Sequence, residues 1–281
     1  MKSALQKDEV FLADVRNALA AGSSRLWWLG QSGFLLARNG RAIVLDPYLS
    51  DSLTKKYEHT DKPHVRITER VVDPAALGAI GVIDIITSSH NHTDHLDAES
   101  LIPLLSANPA ARLVLPAANR DFALERLGTS LAQRFVEANA GDSLRLATVE
   151  ITGIAAAHPT VERDDDGRCR FLGYVIRWPG FGIYHSGDTL MHPGLIPALK
   201  PFGVNLALLP INGDRPERRV AGNLDGPQAA RLAHEIDAKL VIPCHYDLFE
   251  FNTASPDPFI AECRRLGQNY KIVRNGEGVD L

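Results

Sequence analysis

The residues with the clearest chemical potential lie in one short segment, His90-Asn91-His92-Thr93-Asp94-His95. Three imidazoles and one carboxylate, all of them groups that bind divalent metal ions, fall within six residues. The segment follows the apolar run Val82-Ile83-Asp84-Ile85-Ile86, which is typical of a buried strand. This crowding indicates two metal ions held side by side, an arrangement that makes hydroxide from water at neutral pH.

Three more candidate ligands, His158, Asp188 and His245, each follow a predicted strand. Ligands that are distant in sequence can meet when the ends of their strands share one edge of the sheets. Together with the four in the histidine motif, they make seven potential ligands. If one carboxylate bridges the two ions, each ion has three or four protein ligands and an open position, as in catalytic metal sites.

The surrounding pattern predicts the elements that must position these residues. Strands are predicted at 25–29, 33–37, 42–45, 82–88, 113–115, 144–157, 170–177, 181–185, 204–209 and 240–242, and helices at about 4–21, 97–107, 118–127, 226–238 and 257–266. Asp97 is predicted to be the N-cap of the second helix. The polar segment 48–75 is predicted to be an irregular loop, and loops of that length are often functional. Two successive β-rich halves predict two packed sheets with helices outside, in a single domain of residues 1–281.

Composition and charge exclude several classes of protein. No apolar stretch among the 281 residues approaches the roughly 20 residues that a membrane span needs. The first ten residues have no continuous apolar segment, so we do not expect a signal peptide there. A net charge of -4 with mixed signs gives no case for nucleic acid. Three scattered cysteines do not make a disulfide framework, so a reducing cytoplasm is the default. We expect a cytoplasmic protein that acts on a small molecule, and the sequence leaves open whether it forms a homo-oligomer.

The histidine motif resembles the HxHxDH signature of the metallo-β-lactamase superfamily, and the three later ligands follow in that superfamily's order. Four further segments are similar to its L-ascorbate-6-phosphate lactonase-like branch: Trp27-Trp28-Leu29-Gly30-Gln31-Ser32-Gly33-Phe34, Leu45-Asp46-Pro47-Tyr48-Leu49-Ser50, Tyr184-His185-Ser186-Gly187-Asp188 and Val241-Ile242-Pro243-Cys244-His245-Tyr246-Asp247. The resemblance runs from about residue 25 to 260. It implies an α+β fold, an αββα sandwich of two packed mixed β-sheets flanked by helices.

The resemblance also implies a role for each ligand and a reaction. His90, His92 and His158 would hold the first divalent ion, Asp94, His95 and His245 the second, and Asp188 would bridge the two. Zinc is favoured over manganese, although imidazole and carboxylate ligands suit both. The implied reaction is hydrolysis of a sugar-acid lactone, with or without a phosphate group, by a hydroxide that the two ions share.

Several other residues have roles that the sequence leaves open. Asp94 is expected to orient the attacking water and accept its proton, and Tyr246 and His192 are candidates for the donor that protonates the leaving oxygen. Asp46 either accepts a hydrogen bond from a ligand histidine or starts a turn. His185 either supports a nearby ligand or is a buried structural histidine.

Two polar loops, 48–75 and 211–225, flank the predicted site. Arginines in the second loop would pair with an anionic substrate group such as a phosphate. The candidates for substrate contact are Arg215, Arg218, Arg219 and His64.

Three other functions compete with lactone hydrolysis. The first is phosphodiester hydrolysis on the same dinuclear site. The second is a di-iron oxidoreductase, which the resemblance associates with a glutamate at the position of His92 and with an attached flavin domain. The third is a non-catalytic binding protein, which would have lost ligands, whereas all seven positions are filled here.

Overall fold

Two β-sheets and eight α-helices form the structure, a computed structural model that describes residues 1–281. The helices are α1 (Asp8–Ala20), α2 (Ser52–Tyr57), α3 (Pro74–Gly78), α4 (Ala98–Ala107), α5 (Arg120–Leu127), α6 (Leu195–Leu199), α7 (Gly226–Glu235) and α8 (Asp257–Leu266). The strands are β1 (Arg25–Gly30), β2 (Gly33–Arg38), β3 (Arg41–Leu45), β4 (Ile83–Thr87), β5 (Arg112–Pro116), β6 (Phe135–Ala138), β7 (Ser143–Leu146), β8 (Val149–Ala155), β9 (Leu172–Trp178), β10 (Phe181–His185), β11 (Leu206–Pro210), β12 (Leu240–Cys244) and β13 (Gly278–Asp280).

Both sheets are mixed. The first sheet has the order β13-β1-β2-β3-β4-β5-β6, and it is antiparallel from β13 to β3 and parallel from β3 to β6. The second has the order β12-β11-β10-β9-β8-β7, and it is antiparallel from β7 to β10 and parallel from β10 to β12. The predicted α+β sandwich of two mixed sheets with helices is therefore confirmed.

Alternating side chains of β1 explain how the layers stack. Leu26 and Trp28 belong to a core of 42 buried residues that comes from both sheets and from α7 and α8. Trp27 and Leu29 belong to a second core of 25 buried residues, shared with α1, α4 and α5. Successive side chains of a strand point to opposite faces, so β1 is buried on both faces. This double burial explains why its sequence is a continuous apolar run rather than an alternating one.

Some predicted elements have different boundaries. The first helix begins at Asp8 rather than near residue 4, because Lys7 lies extended and the Leu5 N–H donates to the Asn275 carbonyl at 2.7 Å. The predicted strand 144–157 is two strands, β7 and β8, separated by a turn in which Ala147 has a φ of 50°. The segment 48–75 is not irregular throughout, since it contains α2 and the start of α3.

Asp97 lies at the N-cap position of α4, but its side chain does not cap the backbone. Its carboxylate accepts hydrogen bonds from the hydroxyls of Ser100 at 2.5 Å and Ser52 at 2.9 Å. The second of these bonds ties the start of α2 to the start of α4.

None of the helices combines the length and the apolar character that crossing a bilayer requires. All three cysteines are free thiols in the interior. Burial raises the pKa of Cys244 well above its ordinary value, so this thiol stays protonated although it precedes a candidate ligand.

Candidate metal centre

The seven candidate ligands come from strand ends in both sheets. The motif at 90–95 follows β4 in the first sheet, whereas His158, Asp188 and His245 follow β8, β10 and β12 in the second. The structure brings the seven side chains together in overlapping groups. His90 and His95 are buried there, and the other five ligands also line one cavity.

The ligand atoms fall into three overlapping groups, and within each group the atoms lie within 4.8 Å of one another. The groups are His90, His92 and His158; His90, His95 and Asp188; and Asp94, His95 and His245. The first and last groups coincide with the two ligand sets that the resemblance implies for two ions. The middle group joins them.

The carboxylate of Asp188 lies between the two outer groups. Its Oδ1 is 3.3 Å from Nε2 of His95, and its Oδ2 is 3.4 Å from Nε2 of His245 and 3.7 Å from Nε2 of His158. One carboxylate therefore reaches histidines of both outer groups. That is the placement that a bridging ligand needs.

The donor set fits divalent metal ions. The Nε2 atoms of His90 and His95 are buried and have no hydrogen-bond partner in the protein. Unpaired buried polar atoms are rare in folded proteins because they lose their hydration without compensation. Asp94 and Asp188 add two carboxylates to the same place, and buried charges require compensation by opposite charges or metal ions. Imidazole and carboxylate are ligands that zinc and manganese accept.

Asp46 supports the centre from behind and does not merely start a turn. The Nδ1 of His95 donates to Oδ2 of Asp46 at 2.7 Å, and both residues have no exposed surface. The backbone N–H of Ser89 and the hydroxyl of Thr87 also donate to this carboxylate, at 3.1 Å and 2.9 Å. Because Nδ1 carries the donated proton, the Nε2 lone pair of His95 faces the other ligands.

Two further contacts orient ligands. The Nδ1 of His158 donates to the Gly222 carbonyl at 2.8 Å, which directs Nε2 toward the other ligands. The Gln31 amide donates to Oδ2 of Asp94 at 2.9 Å and lies 3.3 Å from Nε2 of His245. Sequence reasoning did not single out Gln31. Its only signal was the Gly30-Gln31-Ser32-Gly33 turn within a segment that carries the resemblance.

His185 has the structural role rather than the supporting one. Its Nε2 donates to the Ser32 carbonyl at 2.8 Å, and its ring lies edge-on to Phe34. It makes no hydrogen bond to any of the seven candidate ligands.

The backbone at the centre adopts unusual conformations. Gln31, Asp46 and His245 all have positive φ angles, of 48°, 39° and 59°, which are uncommon for residues other than glycine. Backbone strain of this kind is typical of functional sites. Gly187 has a φ of 58°, and a Cβ there would lie 2.4 Å from the Cβ of Ser89. Only glycine lets the loop that carries Asp188 approach the histidine motif this closely.

The pKa values of His90 and His95 are shifted in opposite directions. Burial and the adjacent His95 and His92 imidazoles hold the pKa of His90 well below its ordinary value. Burial also disfavours a charged His95, but the Asp188 and Asp94 carboxylates outweigh it and raise the pKa of His95 well above its ordinary value. The centre therefore attracts positive charge at the position where the two carboxylates converge.

The cavity in front of the ligands has a volume of about 490 Å³. His64 and Arg219 line it, as two of the candidates for substrate contact. Arg215 is exposed and lies 3.9 Å from the Glu217 carboxylate. Arg218 is committed to the protein, because its guanidinium donates to the carbonyls of residues 212 and 253 at 2.7 Å each.

Neither of the two proton donors suggested by the sequence lines the cavity. The hydroxyl of Tyr246 donates to the Val273 carbonyl at 2.7 Å, and its ring stacks on Trp28 with 4.7 Å between ring centroids. The Nε2 of His192 donates to the Ala155 carbonyl at 3.0 Å. Both polar groups therefore serve the fold, and their positions give no support to a role as the proton donor.

Comparison with known proteins shows similarity to one family and to a set of curated relatives. The family model described as "Beta-lactamase superfamily domain" matches residues 41–246. A protein of Rubrobacter xylanophilus named "UPF0173 metal-dependent hydrolase" is 29% identical over 258 residues, which cover 89% of this chain and 93% of that protein.

Solved structures share the fold at lower identity. Igni18, described as a novel metallo hydrolase from Ignicoccus hospitalis, has a TM-score of 0.65 and 21% identity, over 92% of this chain and 98% of that one. CmlA from Streptomyces venezuelae, described as a diiron β-hydroxylase, has a TM-score of 0.66 and 15% identity, over 92% of this chain and 54% of that one. Likeness at these identities establishes the fold alone, and this fold occurs in a hydrolase and in a hydroxylase.

Proposed function

The chain belongs to the metallo-β-lactamase superfamily and is a metal-dependent hydrolase of that fold, and from this premise we propose that it is a lactonase with two divalent metal ions. The proposed substrate is a small sugar-acid lactone. The observation that carries the proposal is the pair of ligand groups joined by Asp188 beside a cavity of about 490 Å³. That volume suits a small molecule.

The ligand groups define what each metal ion would bind. His90, His92 and His158 would hold one ion, Asp94, His95 and His245 the other, and Asp188 both, with zinc preferred over manganese. Such ions lower the pKa of a bound water toward neutrality and polarise a carbonyl oxygen.

The protein's own groups supply orientation and proton transfer. Gln31 holds Oδ2 of Asp94, whereas Oδ1 accepts no hydrogen bond from the protein and belongs to a residue that lines the cavity. Asp94 can therefore orient the attacking water and take its proton. Asp46 and the Gly222 carbonyl keep two ligand imidazoles in one orientation, so the centre is arranged before substrate binds.

The choice of a lactone rests on four segments that are similar to the lactonase-like branch, namely 27–34, 45–50, 184–188 and 241–247. A second candidate is phosphodiester hydrolysis on the same ligands. It is favoured by cationic side chains in the cavity wall, among them Lys56, Lys62 and Arg219.

A substrate panel tests the proposal directly. Neutral lactones, phosphorylated sugar lactones and phosphodiesters are offered to protein loaded separately with zinc and manganese, with metal content measured. We expect turnover of lactones, and turnover of phosphodiesters alone would replace the first candidate with the second. Full activity in a metal-free preparation would contradict both.

Substitutions at the centre provide the matching test. His92→Ala and Asp188→Ala are expected to abolish hydrolysis and lower the bound metal while the protein stays folded. His234→Ala is the control, because His234 is an exposed histidine on α7 away from the cavity. Retention of metal and activity in both variants would contradict the proposed ligands.

A further inference from the structure

The cavity wall beyond the metal ligands is cationic. Lys56, Lys62, Arg126 and Arg219 line it, and the only carboxylates in the lining belong to two of the candidate metal ligands. The chain as a whole carries a net charge of -4, so this concentration of positive charge is local. A concave surface lined by one sign of charge attracts ligands of the opposite sign.

Two of the four cations already have partners in the protein. Arg126 donates to the carbonyls of Asn91 and Leu96 at 2.9 Å and 3.2 Å, so it fastens the histidine motif to α5. Arg219 forms an ion pair with Asp61. The charges of these two guanidinium groups therefore already have partners within the protein.

Lys56 and Lys62 have no carboxylate partner. Nζ of Lys56 lies 3.4 Å from the hydroxyl of Thr93, which stands between two candidate ligands in the motif. Nζ of Lys62 donates to the Arg219 carbonyl at 2.6 Å. Both ammonium groups therefore lie in the cavity wall with donor capacity left over, because an ammonium has three N–H donors.

The protein holds Lys56 in place through its helix. The N–H of Leu53 donates to the hydroxyl of Tyr48 at 3.0 Å, and Ser52 is bound to Asp97. The neighbouring Lys55 points to a different partner, Glu99, at 3.0 Å. Lys55 of helix α2 therefore pairs with a glutamate of α4, whereas Lys56, the next residue, lines the cavity.

Lys62 is held through both its backbone and its side chain. The Nδ1 of His64 donates to the Lys62 carbonyl at 2.9 Å, and the His64 ring lies against Tyr57 with 4.5 Å between centroids. Phe249 packs edge-on against the same imidazole at 5.3 Å. An aromatic wall therefore adjoins the two ammonium groups, and it can contact the carbon skeleton of a ligand.

We propose that Lys56 and Lys62 form an anion subsite for a phosphate substituent of the substrate, distinct from the group that is hydrolysed. The inference rests on the proposed hydrolase function and deepens it, because it makes the substrate an anionic small molecule. Ammonium groups act as point charges with rotatable donors, so each can donate to a phosphate oxygen from several directions.

Binding of product analogues tests the subsite without turnover. Gluconate and 6-phosphogluconate differ by one phosphate group, and calorimetry on zinc-loaded protein measures the affinity of each. We expect the wild type to prefer the phosphorylated acid, and each of Lys56→Met and Lys62→Met to reduce that preference about tenfold, the typical effect of losing one charged hydrogen bond. Lys55→Met is the matched control and should leave the preference unchanged.

Circular dichroism and metal content verify that each variant is folded and loaded. A double variant that still prefers 6-phosphogluconate as strongly as the wild type would overturn the subsite. An equal loss of preference in Lys55→Met would also overturn the subsite, because any positive charge near the cavity would then be enough to produce the preference for 6-phosphogluconate.

Turnover of gluconolactone and 6-phosphogluconolactone separates this inference from the proposed function. If the two acids bind with a preference that depends on the lysines but neither lactone is hydrolysed, the anion subsite is supported and the lactonase function is contradicted. If both lactones are hydrolysed and the double variant has the same kcat/KM values as the wild type, the lactonase function is supported and the anion subsite is contradicted. We expect the double variant to raise KM for the phosphorylated lactone and to leave that for the neutral lactone unchanged.

Discussion

A ligand histidine needs its second ring nitrogen fixed, and Asp46 does this for His95 at 2.7 Å. The Asp46→Asn substitution removes the negative charge and replaces one acceptor oxygen with an NH2 group, which cannot accept a hydrogen bond from the groups that donate to Asp46. We expect metal affinity to fall about 10- to 100-fold, the usual effect of losing such a partner. Competition with a chromophoric chelator measures the affinity.

The matched control is Asp84→Asn in the neighbouring strand. Asp84 pairs with Arg41 at the surface and makes no contact with a candidate ligand. An equal fall in metal affinity in the two variants would mean that Asp46 acts through general stability rather than through His95.

Residue types and spacing were sufficient to select the seven candidate ligands that the structure brings together, because few other arrangements crowd so many imidazoles and carboxylates. The same reasoning did not find Gln31, whose contact with Asp94 spans 63 positions and depends on how a turn meets the motif. It also drew attention to Tyr246 for being next to His245 in sequence. Adjacent residues point in different directions, and the tyrosine hydroxyl reaches the Val273 carbonyl instead.

At the scale of elements, the loop after β10 must come very close to the loop after β4. Gly187→Ala places a methyl group against Ser89 in a left-handed backbone conformation. A left-handed residue with a Cβ costs about 1–2 kcal/mol, and overpacking adds about 1–3 kcal/mol. We expect a loss of about 2–5 kcal/mol in the free energy of unfolding from urea titrations, together with weaker metal binding.

Gly203→Ala isolates the backbone component of that loss. Gly203 has a φ of 52°, and a Cβ there meets no atom within 4 Å. This control should cost only about 1–2 kcal/mol and leave metal binding intact. Equal losses in the two variants would show that the contact with Ser89 does not matter.

Helices α7 and α8 are joined by a charge cluster whose strength depends on pH. The guanidinium groups of Arg265 and Arg231 lower the pKa of Glu262 from 4.5 to about 2. A carboxylate whose pKa is lower in the folded state stabilises the protein above its unfolded pKa, and that stabilisation fades as pH falls from 4.5 toward 2.

We therefore expect Glu262→Gln to lower the urea midpoint most near neutral pH, and the difference from wild type to shrink below the ordinary glutamate pKa of 4.5. Urea titrations at several pH values measure both proteins. Glu235→Gln, at an exposed glutamate on α7 without an ion pair, is the matched control and should leave the urea midpoint near neutral pH unchanged. A difference for Glu262→Gln that stays constant with pH would contradict the assignment.

Elements with a strong apolar pattern were predictable from sequence, and those fixed by tertiary contacts were not. Most of the strands, and the helices α4, α7 and α8, follow the predicted pattern because each has an apolar face or run. Helix α2 was missed because only one of its six residues is buried, and hydrogen bonds to Tyr48 and Asp97 stabilise its start. That helix carries Lys56, so the missed element also contributes to the cavity wall.

At the scale of the whole molecule, the proposed metal centre joins the two sheets. The first sheet supplies the motif at 90–95, and the second supplies His158, Asp188 and His245. Each proposed ion therefore takes ligands from both sheets, and its binding free energy opposes their separation. A ligand that binds only the folded state, at about 100 times its Kd, stabilises that state by about 2.7 kcal/mol.

Removing metal from the protein should accordingly lower the melting temperature, by about 5–10 °C for a chain of this size. The loss of stability should also be local. Amide hydrogen exchange should become faster at the carboxyl ends of β4, β10 and β12. The β7–β8 turn lies at the opposite end of the second sheet's strands, and its exchange rate should not change. Restoring zinc should reverse both effects. A melting temperature that does not respond to chelation, or exchange that speeds up evenly along both sheets, would mean that the ions do not join the sheets, whatever they contribute to hydrolysis.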